Sequence, residues 1–247
     1  MSTVLEGKVA IVTGGSRGIG AGIAERLAQA GATVAITYYA SPDQAELVVK
    51  LIEDKGGEAV AIKVDAGDRD AVRAGVREVV ERFGRLDVLV NNAGVIDVKP
   101  IADVGDDEYD RTVAVNQTSV FVASQEAVKH LQEGGRIITV GSINADRVTY
   151  PGGTLYVLTK AAVAGFTKAL AREVGPRGIT VNNIQPGPTD TDMNPADGPR
   201  ADGSRAHIAI GRYGTADEVA SLVAYLAGPD AAYISGASID VDGGYAA

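Results

Sequence analysis

Tyr156 and Lys160 are the residues whose types and spacing most directly suggest chemistry in this chain. They stand four positions apart, where an Ala-rich apolar pattern begins, and on a helix this spacing puts both side chains on one face. A free phenol has a pKa of about 10, and a nearby ammonium lowers that pKa because it favours the phenolate. A phenol tuned in this way can give a proton to a substrate oxygen and take it back. The same spacing also occurs in ordinary surface helices, so the motif needs a cofactor site and a substrate site beside it.

A glycine-rich segment near the N-terminus predicts a nucleotide site. A β-branched run, Lys8 to Val12, leads into Thr13-Gly14-Gly15-Ser16-Arg17-Gly18-Ile19-Gly20, and a helical apolar pattern follows from Ala21 to Ala30. Strand, glycine turn and helix in this order let a pyrophosphate approach the backbone and meet the helix N-terminus. The spacing G-x-x-x-G-x-G differs from the commoner G-x-G-x-x-G, and a purely structural glycine turn remains the alternative.

The residues after the second predicted strand favour NADP over NAD. Sites that bind NAD carry an acid about 20 residues beyond the glycines, where it holds the ribose hydroxyls. Here the strand Thr33 to Thr37 is followed by two tyrosines, an alanine and Ser41, with no acid before Asp43. Arg17 lies inside the glycine loop, and an arginine without a competing carboxylate attracts a 2′-phosphate. Ser41 also fits the N-cap of a helix that begins at Pro42, so it has two candidate roles.

Strands and helices alternate along the chain, which predicts a single α/β domain with one doubly wound parallel sheet and helices on both faces. The later predicted strands are Ala59–Val64, Leu86–Val90, Arg136–Val140, Gly178–Ile184 and Ala237–Val241. Ligands of such sheets bind outside the carboxyl ends of the strands. Residues 1–247 are therefore expected to form one domain for dinucleotide binding and catalysis. The Gly-, Pro- and Asp-rich stretch at about 190–212 is expected to be a substrate lid.

The segment from Asp107 to Gln132 is predicted to be one long helix with a local irregularity. Its middle is apolar except for a polar break from Asn116 to Ser119. Asparagine has low helix propensity and competes for backbone hydrogen bonds. A kink or a widened turn is therefore expected at Asn116.

The composition excludes several classes of function. The chain has no cysteine and only two histidines, so disulfides, cysteine nucleophiles and metal sites are not expected. Its net charge is −9 and it has no long basic run, which argues against nucleic acid as a partner. It shows neither a signal pattern nor an apolar run of about 18 residues, so no membrane partner is expected and the cytoplasm is the default location.

Six landmarks together resemble those of the short-chain dehydrogenase/reductase family, in the same order over essentially the whole chain. They are Thr13-Gly14-x-x-x-Gly18-x-Gly20, Asn91-Asn92-Ala93-Gly94, Asn116, Ser142, Tyr156-x-x-x-Lys160 and Pro186-Gly187. The glycine loop is most similar to that of the 3-oxoacyl-carrier-protein reductase-like branch, which generally prefers NADPH. The resemblance implies a seven-stranded Rossmann-type sheet and a homotetramer. The helix from Tyr156 supports the oligomer independently, because small or apolar residues occupy more than one of its faces.

The resemblance also implies roles for the matching residues. Tyr156 would exchange a proton with the substrate oxygen, and Ser142 would hydrogen-bond that oxygen. Lys160 would bind the nicotinamide ribose and lower the pKa of Tyr156, while Asn116 would hold a water that links Lys160 to solvent. Tyr150 receives no role, because no lysine follows it at the same spacing. The implied cofactor contacts are Gly14, Ser16, Arg17, Gly18, Ile19, Gly20, Ser41, Asp65, Ala66, Asn92, Ala93, Gly94, Tyr156, Lys160, Pro186, Gly187, Thr189 and Thr191.

Several of these contacts have a simpler alternative. Asp65 could only cap the helix that follows Asp68, and Thr189 and Thr191 could be hydroxyls that stabilise their own loop. If the substrate is carried by an acidic carrier protein, basic residues should surround the entrance of the site. Lys129, Arg172 and Arg177 are candidates for such a surface, although ordinary solvated charges would look the same.

These expectations converge on an NADP(H)-dependent oxidoreductase. It would reduce the carbonyl of a small molecule, a ketone or a 3-oxoacyl group, to an alcohol, reversibly. The main alternative is a catalytically silent protein that keeps the fold and binds a nucleotide or a metabolite. A different reaction on the same fold, such as dehydration or epimerisation, is a third possibility.

Overall fold

The computed structural model describes residues 3–247, in which seven strands form one parallel sheet in the order β3-β2-β1-β4-β5-β6-β7. The strands are β1 Val9–Val12, β2 Thr33–Tyr38, β3 Glu58–Lys63, β4 Val88–Asn91, β5 Arg136–Val140, β6 Thr180–Pro186 and β7 Ser238–Val241. Every pairing between neighbours is parallel. The strand order reverses between β1 and β4, which opens a crevice at the carboxyl edge of the sheet. The predicted fold class is confirmed.

Eight α-helices in the same residues connect and cover the strands. They are α1 Gly18–Gln29, α2 Pro42–Glu53, α3 Arg69–Phe83, α4 Asp106–Val113, α5 Ser119–Ala127, α6 Thr154–Val174, α7 Ala201–Arg205 and α8 Ala216–Ala227. One face of the sheet packs against α1, α2 and α8 in a core that includes Ile23 and Val223. The other face packs against α3, α5 and α6 around Val76 and Leu170. The central strands are buried on both faces, which explains their continuous β-branched runs.

Several element boundaries differ from the predicted ones by a few residues. β6 begins at Thr180 rather than Gly178, because Gly178 has a φ of +72° and closes the turn before the strand. Helix α6 begins at Thr154, which places Tyr156 inside its first turn rather than at its start. The strand β7 begins at Ser238 rather than Ala237.

The segment predicted as one long helix is two helices joined by a π-helical turn. The turn spans Ala114–Thr118 and contains Asn116, so the widening expected at that residue is confirmed. The Asn116 amide accepts a hydrogen bond from the Val95 backbone N–H and donates one to the Val95 carbonyl, both at 2.8 Å. The prediction of a single helix through Gln132 was wrong, because the regular helix ends at Ala127.

The N-termini of α8 and α2 are capped differently. Thr215 caps α8 as part of a capping box, with Glu218 N–H donating to its Oγ1 at 3.2 Å and the Glu218 carboxylate accepting from its N–H at 2.8 Å. Ser41 stands at the N-cap position of α2, but its side chain makes no capping hydrogen bond. The Ser41 hydroxyl therefore remains available at the end of β2.

The stretch expected to form a lid contains the short helix α7 between turns. Ala201 and Ile208 of this stretch form a small apolar cluster with Ile143, Tyr213 and Tyr245. Ile143 follows β5, so the cluster holds the stretch beside the carboxyl edge of the sheet. Whether it opens and closes over a substrate stays a prediction.

Within residues 3–247, no helix combines the length and the apolar character needed to span a bilayer. In the same part of the chain, histidine, aspartate and glutamate side chains form no group of three or more that could hold a metal ion. Many of the acids pair with bases instead, as Asp87 does with Lys8 at 3.1 Å and with Arg85 at 2.7 Å.

Glu126 on α5 is a buried carboxylate that ties α5 to α3. It accepts hydrogen bonds from Arg77 Nε at 2.8 Å and Lys129 Nζ at 2.6 Å. The hydrogen bond from Arg77 outweighs the cost of burial and, with help from Lys129, lowers the pKa of Glu126 from 4.5 to about 2. Because this folded-state pKa lies below the unfolded one, its contribution to stability is complete above pH 4.5 and is lost as the pH falls toward 2.

We expect Glu126→Gln to lower the free energy of unfolding at neutral pH by about 1–2 kcal/mol, a value reduced by the solvent exposure of Arg77. The variant should also lose less stability than the wild type on acidification below pH 4.5. Urea unfolding across this pH range measures both effects. Glu78→Gln, which changes an exposed acid on α3, is the control. Parallel pH profiles for Glu126→Gln and the wild type would contradict this account.

Candidate active site

Tyr156 and Lys160 lie one turn apart at the start of α6, beside the carboxyl end of β5. Lys160 is buried, and its Nζ donates a hydrogen bond to the carbonyl of Val140, the last residue of β5, at 2.8 Å. The same Nζ lies 5.6 Å from the centre of the half-buried Tyr156 ring. The helical spacing therefore brings both side chains to one face, as predicted.

The pKa values of this pair differ from the sequence expectation. Burial raises the pKa of Tyr156 to about 12, although a hydrogen bond with Ser142 opposes the rise. Burial lowers the pKa of Lys160 to about 8. The expected lowering of the Tyr156 pKa by Lys160 is thus wrong for the protein alone, because the loss of solvation of the phenolate dominates. With this pKa the phenol of Tyr156 is neutral throughout the physiological pH range.

Ser142 is held at the end of β5 by a short turn. Its backbone is extended, with a φ of −167°, and its Oγ accepts a hydrogen bond from the Asn144 N–H at 3.1 Å. Because the Ser142 hydroxyl oxygen is the acceptor in this bond, its own O–H remains free to donate to another group. Ser142 is buried, and its hydroxyl lies close enough to the phenol to oppose the rise in the pKa of Tyr156. The structure therefore brings Ser142, Tyr156 and Lys160 together.

Asn116 stands beside Lys160, across the narrow space next to Gly94. A Cβ built on Gly94 would lie 3.5 Å from Asn116 Oδ1 and 3.7 Å from Lys160 Nζ. Asn116 Nδ2 donates to the Val95 carbonyl at 2.8 Å and to Thr159 Oγ1 at 3.2 Å. Both amide N–H bonds are therefore used, and the asparagine fixes the loop after β4 against α6. Its role in proton transfer stays a prediction.

The glycine loop has the conformation and the open backbone that an anion requires. Gly14 and Gly18 have φ values of +65° and +55°, a region that other residues rarely adopt. A Cβ on Gly20 would collide with the carbonyl of Gly14 and the amide of Asn92. Asn92 Nδ2 donates to the carbonyls of Thr13 and Gly14 at 2.8 and 3.1 Å, which locks the loop to the end of β4. Helix α1 begins here without a side-chain cap or a first-turn acid, so its N–H groups fit a pyrophosphate.

Arg17 stands at the N-cap position of α1, and Ser41 stands at that of α2, just after β2. Arg17 is exposed and forms no salt bridge with any residue from 3 to 247. A guanidinium without a salt-bridge partner suits an anionic group. Other predicted cofactor residues follow a strand, end a strand or lie at the start of α1 along the same edge: Ser16, Ile19, Ala66, Ala93 and Pro186.

Asp65 follows β3 and does not cap a helix, because Asp68 caps α3. Its Oδ1 accepts a hydrogen bond from the Gly67 N–H and another from Arg111 Nη1, both at 2.8 Å. The Arg111 guanidinium also lies 5.4 Å from the centre of the Tyr39 ring. The sequence offered no sign of Arg111 at this place, because the residue comes from α4 on a distant stretch of the chain. Asp65 thus reaches the crevice with its carboxylate already oriented.

Thr189 and Thr191 lie in the loop after β6. Thr189 Oγ1 donates to the Gly187 carbonyl at 3.0 Å, and Thr191 Oγ1 accepts from the Asn194 N–H at 3.2 Å. Both hydroxyls therefore make bonds within their loop, which was the simpler of the two roles considered for them. The Thr191 methyl carbon lies 3.4 Å from the position of a Cβ on Gly18, so this loop rests against the glycine loop.

Known proteins match this architecture along nearly the full chain. A family model described as enoyl-(acyl carrier protein) reductase matches residues 14–246. The cyclic-di-GMP-binding biofilm dispersal mediator protein of Escherichia coli is 44% identical, over 98% of this chain and 98% of its own. A 3-oxoacyl-(acyl-carrier-protein) reductase of Staphylococcus aureus is 42% identical, over 96% of this chain and 97% of its own. The crystal structure of a short-chain dehydrogenase from Burkholderia cenocepacia in complex with NADP is 54% identical, with a TM-score of 0.97 and coverage of 98% and 99% of the two chains.

The chain belongs to the short-chain dehydrogenase/reductase family. In this family member the carboxyl edge of β5, the start of α6 and the π-helical turn meet beside the glycine loop. These elements come from three separate parts of the chain, and the sheet order brings them together.

The basic residues considered for a carrier-protein surface lie at the amino edge of the sheet, away from the site. Lys129 pairs with Glu126 at 2.6 Å, and Arg177 donates to the carbonyls of Val128 and Leu131 at 2.8 and 2.6 Å. Arg172 lies in the last turn of α6. These positions come just before β5 and β6, at the amino edge of the sheet, whereas the site lies at the carboxyl edge. The suggestion that they surround the entrance was wrong.

Proposed function

We propose that this protein is an NADP(H)-dependent oxidoreductase that reduces a carbonyl group of a small molecule to an alcohol, reversibly. The observation that carries the proposal is the convergence of Ser142, Tyr156 and Lys160 beside the glycine loop. The similar Burkholderia cenocepacia protein, solved in complex with NADP, supports the cofactor. Stoichiometric loss of NADPH and gain of alcohol with a panel of ketones and 3-oxoacyl thioesters tests it.

In the proposed reduction, each residue of the site has a separate role. NADPH, when bound, supplies the hydride. Tyr156, neutral with a pKa of about 12, donates its proton to the carbonyl oxygen. Ser142 donates a hydrogen bond to the same oxygen and stabilises the negative charge that develops there.

The reverse reaction and the binding of cofactor use the same groups. In alcohol oxidation the Tyr156 phenolate takes the substrate proton, so its raised pKa means that this direction should become faster as the pH rises. Lys160 would hold the nicotinamide ribose, and Asn116 would support the exchange of protons with solvent. Asp65 would accept from the adenine amino group, and the loop from Pro186 to Thr191 would cover the nicotinamide.

Arg17→Ala tests the preference for NADPH. We expect the dissociation constant of NADPH to rise by about 10- to 100-fold, because a charge-assisted hydrogen bond contributes roughly 1.5–3 kcal/mol. The dissociation constant of NADH should change much less, since it has no 2′-phosphate. Fluorescence titration measures both constants, and Arg26→Ala, near the other end of α1, is the control. Equal losses for the two nucleotides would refute the assignment of Arg17.

A homotetramer is part of the proposal. Phe121 on α5 and Leu158 on α6 are 50% and 51% exposed, and the Phe121 ring lies 5.9 Å from the ring of Phe166 on α6 in a tilted contact. Nothing lies within 4 Å of a Cβ built on Gly165 of the same helix. This apolar, small-residue face is suited to pack against a second copy. Sedimentation velocity should show a tetramer that Phe121→Glu disrupts, and a wild-type monomer at micromolar concentration would contradict the proposal.

A binding protein without catalytic activity is the second candidate. It is favoured by the name of the Escherichia coli relative, which describes a cyclic-di-GMP-binding mediator. The complete set of Asn116, Ser142, Tyr156 and Lys160 favours catalysis instead. Tight binding of cyclic-di-GMP, with no turnover of any carbonyl compound, would support this candidate. Consumption of NADPH in step with product would also separate reduction from dehydration or epimerisation.

A further inference from the structure

Tyr150 is a second phenol beside the catalytic residues. Its hydroxyl oxygen accepts a hydrogen bond from Asn144 Nδ2 at 2.9 Å. The backbone N–H of the same Asn144 donates to Ser142 Oγ at 3.1 Å. One residue thus holds both hydroxyls, and Tyr150 is tied to the position of Ser142 by two hydrogen bonds that share Asn144.

The direction of these bonds leaves the Tyr150 proton free for another acceptor. Asn144 uses its amide N–H as the donor, so the phenol oxygen of Tyr150 acts as the acceptor and its O–H remains to donate. No other hydrogen bond joins the Tyr150 hydroxyl to residues 3–247. A half-buried phenol with an unused donor, placed next to a reacting site, is suited to bind a ligand oxygen.

The surroundings of Tyr150 keep it neutral and in place. Burial raises its pKa, the nearby Tyr245 adds to the rise, and Arg200 opposes it. Its ring packs against the backbone position of Gly153, where an added Cβ would lie 3.0 Å from the ring. Tyr245 is itself hydrogen-bonded to Thr149. The Tyr150 phenol therefore has a defined position in the segment that connects β5 to α6.

Tyr150 also lies close to Tyr156, the proposed proton donor. Besides burial and the opposing hydrogen bond with Ser142, the proximity of Tyr150 contributes to the raised pKa of Tyr156. The site thus offers three hydroxyl donors, Ser142, Tyr150 and Tyr156. Two of them satisfy the lone pairs of one carbonyl oxygen, so the third is available to a second oxygen of the same substrate.

We propose that Tyr150 is a substrate-binding residue that donates a hydrogen bond to a second carbonyl oxygen close to the reacting one. The substrate class is then a dicarbonyl compound, either a 1,2-diketone or a 1,3-dicarbonyl such as a 3-oxoacyl group. This inference rests on the proposed carbonyl reduction and adds to it the residue that selects the substrate. It gives Tyr150 a function that its sequence context did not suggest.

Three ketones with the same seven-carbon chain test the proposal: 2-heptanone, 2,3-heptanedione and 2,4-heptanedione. Their reduction by NADPH is compared between the wild type and Tyr150→Phe. For each substrate, kcat/KM of Tyr150→Phe is divided by kcat/KM of the wild type. We expect this ratio to fall about 3- to 10-fold further for one or both diones than for 2-heptanone, the size of one hydrogen bond. The dione with the larger loss identifies the spacing of the second oxygen.

The division between KM and kcat distinguishes binding from a structural effect. A hydrogen bond made away from the reacting carbon is present before and during the reaction, so its loss should raise KM and leave kcat nearly constant. Tyr213→Phe is the matched control, because it removes the hydroxyl of another buried tyrosine, one that has no hydrogen-bond partner. This control should keep the relative kcat/KM of the three ketones.

The possible failures are distinguishable. Equal losses for all three ketones in Tyr150→Phe, or no loss at all, would overturn the role of Tyr150 and leave carbonyl reduction intact. A greater loss of kcat than of affinity would also overturn it, because Tyr150 would then act on the chemistry or the fold. If the wild type reduces none of the three ketones or any other carbonyl compound, both the proposed function and this inference fail.

Discussion

Tyr156→Phe should lower kcat for carbonyl reduction by about a thousand-fold, within the range of general acid catalysis. Phenylalanine keeps the ring that packs 5.6 Å from Lys160 Nζ and removes only the proton donor. With a pKa of about 12, Tyr156 is almost fully protonated at neutral pH, so the wild type has the whole donor population available. The affinity for NADPH should change little, because the hydroxyl is assigned to the substrate.

Single-turnover reduction of a ketone with saturating NADPH measures this effect, and fluorescence titration measures the affinity. Tyr225→Phe, which alters a half-exposed tyrosine on α8, is the matched control and should keep wild-type rates. Full activity in Tyr156→Phe would refute the mechanism. A loss of NADPH binding equal to the loss of rate would show that the hydroxyl serves the cofactor.

Gly20→Ala is expected to weaken NADPH binding by more than about 100-fold. The added methyl group would meet the carbonyl of Gly14 and the amide of Asn92, and both belong to the frame of the glycine loop. The loop must shift to make room, and backbone N–H groups that are displaced can no longer meet an anion. Overpacking of this kind also costs about 1–3 kcal/mol of stability.

Isothermal calorimetry with NADPH and thermal unfolding without it measure the two effects separately. Gly175→Ala is the control, because Gly175 follows α6 with a φ of −52° and nothing lies within 4 Å of a Cβ built there. That variant should bind NADPH normally and be at least as stable as the wild type. Normal NADPH binding by Gly20→Ala would show that the glycine loop does not hold the nucleotide.

The sheet, the glycine loop and the spacing of Tyr156 and Lys160 could be predicted because each depends on local order. A β-branched run, a glycine turn and a helical pattern are read within about thirty residues. The widened turn at Asn116 was predictable for the same reason, because an asparagine in an apolar helix competes for the hydrogen bonds of the neighbouring backbone. The capping box of Thr215 and Glu218 is local in the same way, because it joins two residues three positions apart.

Other features required contacts between distant parts of the chain. Arg111 meets Asp65 from a different element, and no local pattern links them. Lys129, Arg172 and Arg177 were candidates for the entrance because of their charge, with ordinary solvated charges as the alternative, and the direction of the parallel strands puts them at the amino edge of the sheet. The pKa of Tyr156 also departs from expectation, because burial dominates and burial depends on the packed fold.

The sequence by itself determined the fold class, the family resemblance and the residues proposed to transfer a proton. These follow from residue type and short-range spacing, which are fully present in the linear chain. Only the tertiary structure decided the state of these residues: a neutral Tyr156, a Lys160 bonded to Val140, and a Ser142 held by Asn144. It also turned Tyr150 from a residue without a role into a second donor, because solvation and hydrogen-bond direction exist only once separate segments have packed together.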